Sequence, residues 1–310
     1  MIARVRSIQP RGCTNISDAL VTAGKMFSEE ILSEYNCKII LLSDGIANKG
    51  VTDVDGLTSI ALDCAKKGIA ISSLGVGLYY NSATMGEIAR SGNGLFHYIN
   101  NLSKLESVFA QELKLSSSVT AKDVKVMLEI PSLIEIGENL NGYTQEVVDG
   151  NVLIHLGDMY GTRRIVIEIR NDFVDEDVRF SVKAIYKDLD DNERSVKTSA
   201  LLKVVRDEEL LKDYKEDKEL IGYVLSLIKS AAIEKSSAMY EHGDLESLEG
   251  VMSSTTAIIR GISQSYTTSH SSASSALSSL DEVGALYASN SVSSDQVKEM
   301  YATSHQARRS

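Results

Sequence analysis

Lys38-Ile39-Ile40-Leu41-Leu42-Ser43-Asp44-Gly45 decides the fold. An unbroken apolar run of this length, closed by a polar turn, reads as a β-strand buried on both faces, the state of a central strand in a parallel sheet. Its carboxyl end carries Asp44 and Gly45, and open α/β sheets place ligand chemistry at that end of their strands.

Working outward, the flanking segments alternate between helix and strand. Ile16, Leu20, Ala23 and Phe27 recur at helical spacing after Thr14-Asn15, either of which makes a reasonable helix cap. Asp53 to Lys67 reads as a helix with Leu57, Ile60, Ala61 and Cys64 inward and Gly68 ending it. Ile69 to Leu74 is the next buried strand, residues 82–91 a short helix, Leu95 to Ile99 a small strand, and Asn101 to Leu115 a last helix. This alternation forces a parallel sheet and an α/β class.

Four blocks in this region resemble the later part of a von Willebrand factor type A (vWA) domain: Gly12-Cys-Thr14-Asn15-Ile16, Leu41-Leu-Ser-Asp44-Gly45, Ile71-Ser-Ser-Leu-Gly75-Val-Gly77 and Gly92-Asn-Gly94-Leu-Phe96. Their order and spacing match as well as their residues. The resemblance implies a partial Rossmann-like sheet over residues 1–117. It is nearest to proteins in which such a domain is followed by a β-rich segment and helices. It also implies a metal-ion-dependent adhesion site for Mg²⁺, with Thr14 and Asp44 matching its threonine and aspartate ligands. The third element, Asp-x-Ser-x-Ser, has no match, so the chain is expected to lack the amino-terminal part of the domain, unless a partner or a second copy supplies it. Without a family in view, Thr14 reads as a helix cap and Asp44-Gly45 as a strand-ending turn.

From about residue 118 the period changes to two. Val124, Val126, Leu128 and Ile130 alternate with polar residues, and Asp149-Gly150 between two apolar segments is a strong hairpin signal. With Ile165 to Ile169, Val178 to Ala184 and residues 196–205, residues 118–206 read as a sandwich-like antiparallel domain. Asp188 to Glu193 lacks the glycine and spacing of a calcium loop and reads as a solvated hairpin tip. Residues 207–288 show helical spacing, with Leu210, Leu211 and Tyr214 opening a first helix. The turn at His242-Gly243-Asp244 precedes a second, giving a helical hairpin, and a weaker third helix extends to Tyr287. Residues 289–310 read as a flexible polar tail.

The composition excludes several classes. A net charge of −11 over 310 residues argues against nucleic acid as a partner. The 3 cysteines, Cys13, Cys37 and Cys64, show no metal-ligand spacing and read as reduced thiols. No apolar stretch has the length of a membrane span and no signal-peptide core is present, which points to a cytoplasmic protein. The 5 histidines lie apart, Gly75-Val-Gly77 does not complete a dinucleotide fingerprint because Tyr80 stands at the third glycine position, and no nucleophile elbow occurs. The expectation is a binding protein rather than an enzyme. Two readings stay open: an A-domain-type protein-interaction module, with Mg²⁺ assisting through Thr14 and Asp44, or a metal-independent structural subunit that binds through a sheet edge or the helical hairpin. A homo-oligomer or a complementing chain would suit either.

Overall fold

The computed structural model describes residues 9, 12–129, 131, 134–170, 176–205, 216–266 and 270–309. The α/β part starts with α1 (Ile16–Lys25) and α2 (Glu29–Glu34), then β1 (Cys37–Gly45), α3 (Val54–Lys66), β2 (Ile69–Tyr79), α4 (Ser82–Ser91), β3 (Asn93–Ile99) and α5 (Ser103–Ser117). The three strands form a parallel sheet in the order β1-β2-β3. Polar side chains start most helices: Asn15, Ser28, Asp53 and Asn81 each accept a hydrogen bond from a first-turn N–H of α1, α2, α3 and α4. The core gathers Leu20, Leu57, Ile69, Ile71, Met85, Ile88 and Phe96 between the sheet and its helices.

The expected central strand is the outermost one. β1 buries Cys37, Ile39, Leu41 and Ser43, but Leu42 on its other face is 45% exposed. The reason is topological: among the described residues the sheet begins at β1, so β2 is the strand flanked on both edges and carries the most continuous burial.

The β-rich part follows as β4 (Ala121–Glu129), β5 (Glu135–Asn139), β6 (Thr144–Val148), β7 (Asn151–Met159), β8 (Ile167–Arg170), β9 (Val178–Lys187) and β10 (Glu193–Leu202). Five strands form one antiparallel sheet in the order β10-β9-β4-β7-β6, and β5 pairs with β8 in a second small sheet. β6 and β7 meet through Asp149 and Gly150, with φ of 51° and 77°. Two positive φ values are what the tightest hairpin turn demands and what Asp-Gly supplies. Strand β5 had no counterpart in the sequence reading.

The helical part contains α6 (Lys218–Glu241), α7 (Leu245–Ser265), α8 (His270–Ala288) and α9 (Ser294–Arg309). The expected helical start at Leu210, Leu211 and Tyr214 lies outside the described residues; α6 begins at Lys218, capped by Asp217. The flexible tail expected from residue 289 is replaced by α9, a helix of 16 residues that buries Val297, Lys298, Tyr301, Ala302, Ser304, His305, Arg308 and Arg309. Composition misled because this helix is buried largely through charged groups that find partners. It lies against α6 on one side and against β3 and α4 on the other. Val297 joins the helical core while Tyr301 and Ala302 join the core of the α/β part.

Candidate functional site

The candidate site is the carboxyl end of β1. Ser43, the last buried residue of the strand, donates from Oγ to the Gly45 carbonyl at 2.8 Å, and the β1–β2 register shifts there. The chain then turns out through Ile46 and returns along the start of α1. Two contacts join that loop to the helix. Thr14 N–H donates to Asn48 Oδ1 at 2.8 Å while Asn48 N–H donates to the Thr14 carbonyl at 3.0 Å. Val51 N–H donates to Ser17 Oγ at 3.0 Å. Asn15, rather than Thr14, caps α1, accepting from Asp18 N–H at 3.1 Å.

The Thr14 side chain is therefore free of capping duty and lies over the strand end: a Cβ built on Gly45 would sit 3.3 Å from Thr14 Oγ1. Asp44 is exposed, one residue away. Both sequence-predicted residues thus reach the same corner of the sheet. They bring one hydroxyl and one carboxylate, against the six oxygens of an octahedral Mg²⁺ shell. Among the described residues no group of three or more His, Cys, Asp or Glu is placed to hold a metal. The described residues alone do not fit the ion.

The neighbouring strand end is closed. Tyr80 folds back over Gly75, where a Cβ would lie 2.1 Å from its ring. Glu241, the last residue of α6, reaches the amino terminus of α4 and accepts from Ser82 N–H at 3.2 Å and Ser82 Oγ at 2.8 Å. Lys298 of α9 completes the cluster, donating to Glu241 Oε1 at 2.9 Å and to the Tyr80 carbonyl at 2.8 Å, with its ammonium 4.0 Å from the Tyr80 ring centre. Tyr98 of β3 is hydrogen-bonded to Asp295 of α9. What stays open is the edge facing β1, where Tyr79, the last residue of β2 and the partner of Gly45, is 83% and Ile46 is 62% exposed.

Two further charged clusters sit inside the molecule. Glu112 of α5 is fully covered and meets Lys38 Nζ at 2.7 Å, His97 Nε2 at 2.6 Å and Ser72 Oγ at 2.9 Å. Burial opposes its ionisation, but the His97 hydrogen bond and the Lys38 charge outweigh that and hold its pKa down to about 2. Gln306 donates to His97 Nδ1 at 3.1 Å, so the other ring nitrogen carries the proton toward Glu112. His97 is a packed histidine, 3% exposed. Glu234 of α6 binds Arg90 of α4, His305 Nδ1 at 3.0 Å and Arg308 at 2.7 Å. Burial works against its charge, and these partners still hold its carboxyl well below the usual range. Sequence reading missed this cluster because its members are 144 and 74 residues apart in the chain.

No family model matches the chain. A solved structure of a von Willebrand factor type A protein from Catenulispora acidiphila superposes with a TM-score of 0.64 at 16% identity, covering 84% of this chain and 63% of that one. The α/β part is a vWA-like domain. The ArnB paralog VWA2 from Sulfolobus acidocaldarius matches with a TM-score of 0.54 at 18% identity, over 97% of this chain and 72% of that one. Human COPII-coat protein Sec24c matches at 0.57 and 13%, over 84% and 37%. These spans reach past the vWA-like domain, so the likeness in fold includes parts of the β-rich and helical regions. In sequence, the uncharacterized protein YfbK of Escherichia coli (strain K12) is 32% identical over 128 residues, 41% of this chain. The chain spans 22% of that relative's length. No helix among the described residues is long and apolar enough to cross a membrane.

Proposed function

We propose that the chain is a protein-interaction module of vWA type, a binding protein rather than an enzyme, that engages its partner at the open carboxyl end of β1. One observation carries this reading. The helical part covers Tyr80 and the start of α4 through Glu241 and Lys298, yet the end of β1 presents Asp44 with exposed Leu42 and Ile46, and Tyr79, the last residue of β2 and the partner of Gly45, is exposed beside them. An exposed aromatic and aliphatic patch beside a carboxylate suits a protein surface better than a small-molecule pocket. The outer edge of β1 also has no partner strand among the described residues, which adds backbone donors and acceptors to the same corner.

Binding in this reading is metal-independent, because Thr14 and Asp44 alone fall short of a Mg²⁺ shell. The metal-assisted reading keeps one observation in its favour, the Thr14 hydroxyl lying over Gly45 beside Asp44. Calorimetric titration with Mg²⁺ and Mn²⁺ separates the two. Saturable binding that disappears in Asp44→Ala would replace the metal-independent reading with the metal-assisted one, and a flat titration leaves it standing. The surface itself is tested by partner capture with the intact chain and with Ile46→Asp/Tyr79→Ala. A partner retained equally by both forms overturns the assignment of this corner.

A further inference from the structure

The outer strand of the β-rich part is exposed along its whole length. All ten residues of β10, Glu193 to Leu202, are accessible to solvent. Among the described residues β10 is the terminal strand of its sheet and pairs with β9 alone. Its two faces differ. Glu193, Ser195, Lys197, Ser199 and Leu201 lie on one, polar but for Leu201, where Lys197 donates to Glu129 at 2.6 Å. Arg194, Val196, Thr198, Ala200 and Leu202 lie on the other, in register with Tyr186, Ala184, Val182, Phe180 and Val178 of β9.

That second face continues into the core of the β-rich part, since Val182 and Ala184 oppose Leu128 and Val126 of β4, which pack in it. The β5–β8 sheet contributes Ile136 and Ile167 to that core, which does not extend to β10. Val196 is left 59% exposed and Leu202 42%. An ungapped edge strand with a half-apolar face is a template for another strand.

We propose that β10 pairs with β10 of a second copy of this chain, antiparallel about a twofold axis at Thr198. Charge complementarity together with the full length of pairing favours this occupant and register, since an axis at Ser195 would also pair Glu193 with Lys197 but over only five residues. With Thr198 opposite its own copy, Glu193 faces Lys203 of the other strand, and the twofold makes this contact twice. Val196 then faces Ala200, Arg194 faces Leu202, and Lys197 faces Ser199. Slipping the register by one residue pair places Glu193 against Leu201 or Val205 and loses both ion pairs. A slip by one residue turns the apolar faces to opposite sides. The twofold axis stands perpendicular to the sheet, so the polar faces of both copies stay on one side and the apolar faces on the other. The surface is separate from the corner at Asp44, and neither assignment depends on the other.

Sedimentation velocity on the whole chain at about 100 μM tests the proposal, with a dimer expected. Glu193→Lys places four lysines across the twofold and Lys203→Glu places four glutamates. Each single variant weakens the dimer by about tenfold or more. Mixing the two variants restores it as a heterodimer, because every pair is then of opposite charge. Thr198→Cys gives a disulfide-linked dimer under mild oxidation, beyond any linkage through exposed Cys13 in the parent chain. A parent chain that stays monomeric overturns the proposal and leaves the edge to a strand of another protein. A dimer that survives both charge variants unchanged overturns the register.

Discussion

Glu241 and Ser82, 159 residues apart, meet at the amino terminus of α4, where the carboxylate accepts both the Ser82 amide and its hydroxyl. The helical part is thereby fastened to the vWA-like sheet at the carboxyl end of β2. An anion at a helix amino terminus is favoured by the unpaired N–H groups there.

Lys298 makes this contact sensitive to mutation, because its side chain is 4% exposed and its charge is balanced by Glu241. Glu241→Ala leaves that ammonium buried without its counter-ion, which costs about 3–5 kcal/mol. Pairing Lys298→Met with Glu241→Gln removes both charges together and recovers most of the loss. Urea unfolding of Glu241→Ala and of the double variant measures this. A double variant as unstable as Glu241→Ala would show that something other than the orphaned charge is responsible.

A second prediction concerns how α9 docks. Gly86 of α4 faces Tyr301, and a Cβ there would lie 2.3 Å from Tyr301 Oη. The Tyr301 ring also meets Phe96 edge-on at 5.6 Å. Tyr301→Ala costs about 3–5 kcal/mol by emptying a fully packed position. Gly86→Ala alone is destabilising by overpacking, about 1–3 kcal/mol. The double variant loses less than the sum, since the new methyl enters space the ring has left. Strict additivity in thermal unfolding would mean that the two residues do not share this contact.

These contacts also explain which parts of the fold were legible in the sequence. Ile39 to Leu42, the cap at Asn15, and Asp149-Gly150 are local signals, each set by residues within a turn or a strand of one another. Thr14 and Asp44 reach one corner through the loop pairing of Thr14 with Asn48, so the family blocks located that corner. Strand β1 was misjudged because an apolar run does not reveal how many strands lie beside it. Helix α9 was missed because Lys298, His305, Arg308 and Arg309 read as solvent-facing. Their partners Glu241, Glu234 and the Leu140 and Arg90 carbonyls lie far away in the chain. Val297 and Tyr301, four apart on one face, were the local sign of a buried helix.

A third prediction is a two-step loss of stability in acid. Burial, beside Arg90 and Arg309, holds His305 neutral and lowers its pKa to about 4, against 6.5 for a free imidazole. The unfolded chain therefore takes up a proton between pH 6.5 and 4 that the folded chain does not, so stability is full above that window and falls across it. The loss from this residue is about 3 kcal/mol. Glu112 and Glu234 act lower: the folded pKa of Glu112, about 2, lies below the ordinary 4.5 and that of Glu234 is also held well below it, so their contribution is intact above pH 4.5 and is lost as pH falls further. Unfolding free energies measured against pH resolve the two steps. His305→Gln flattens the upper step; an upper step that persists in that variant removes His305 as its source.

The last prediction separates two effects of one glycine at the candidate site. Gly50 has φ of +73°, and a Cβ there would lie 2.4 Å from Ser17 Oγ and 2.5 Å from Asn15 Oδ1. Gly68 has a similar φ of +81° but nothing within 4 Å of a built Cβ. Gly68→Ala therefore reports backbone strain alone, about 1 kcal/mol. Gly50→Ala adds a clash with Ser17, which holds the β1 loop against α1, and with Asn15, which caps α1, so it costs more and loosens the loop. Hydrogen exchange reads the second effect: the amides of Asn48 and Val51, bonded to Thr14 and Ser17, lose protection in Gly50→Ala and keep it in Gly68→Ala. Equal costs and equal protection in the two variants would mean that the loop does not depend on close approach at Gly50, and that Thr14 is held over Gly45 by the Asn48 contacts alone.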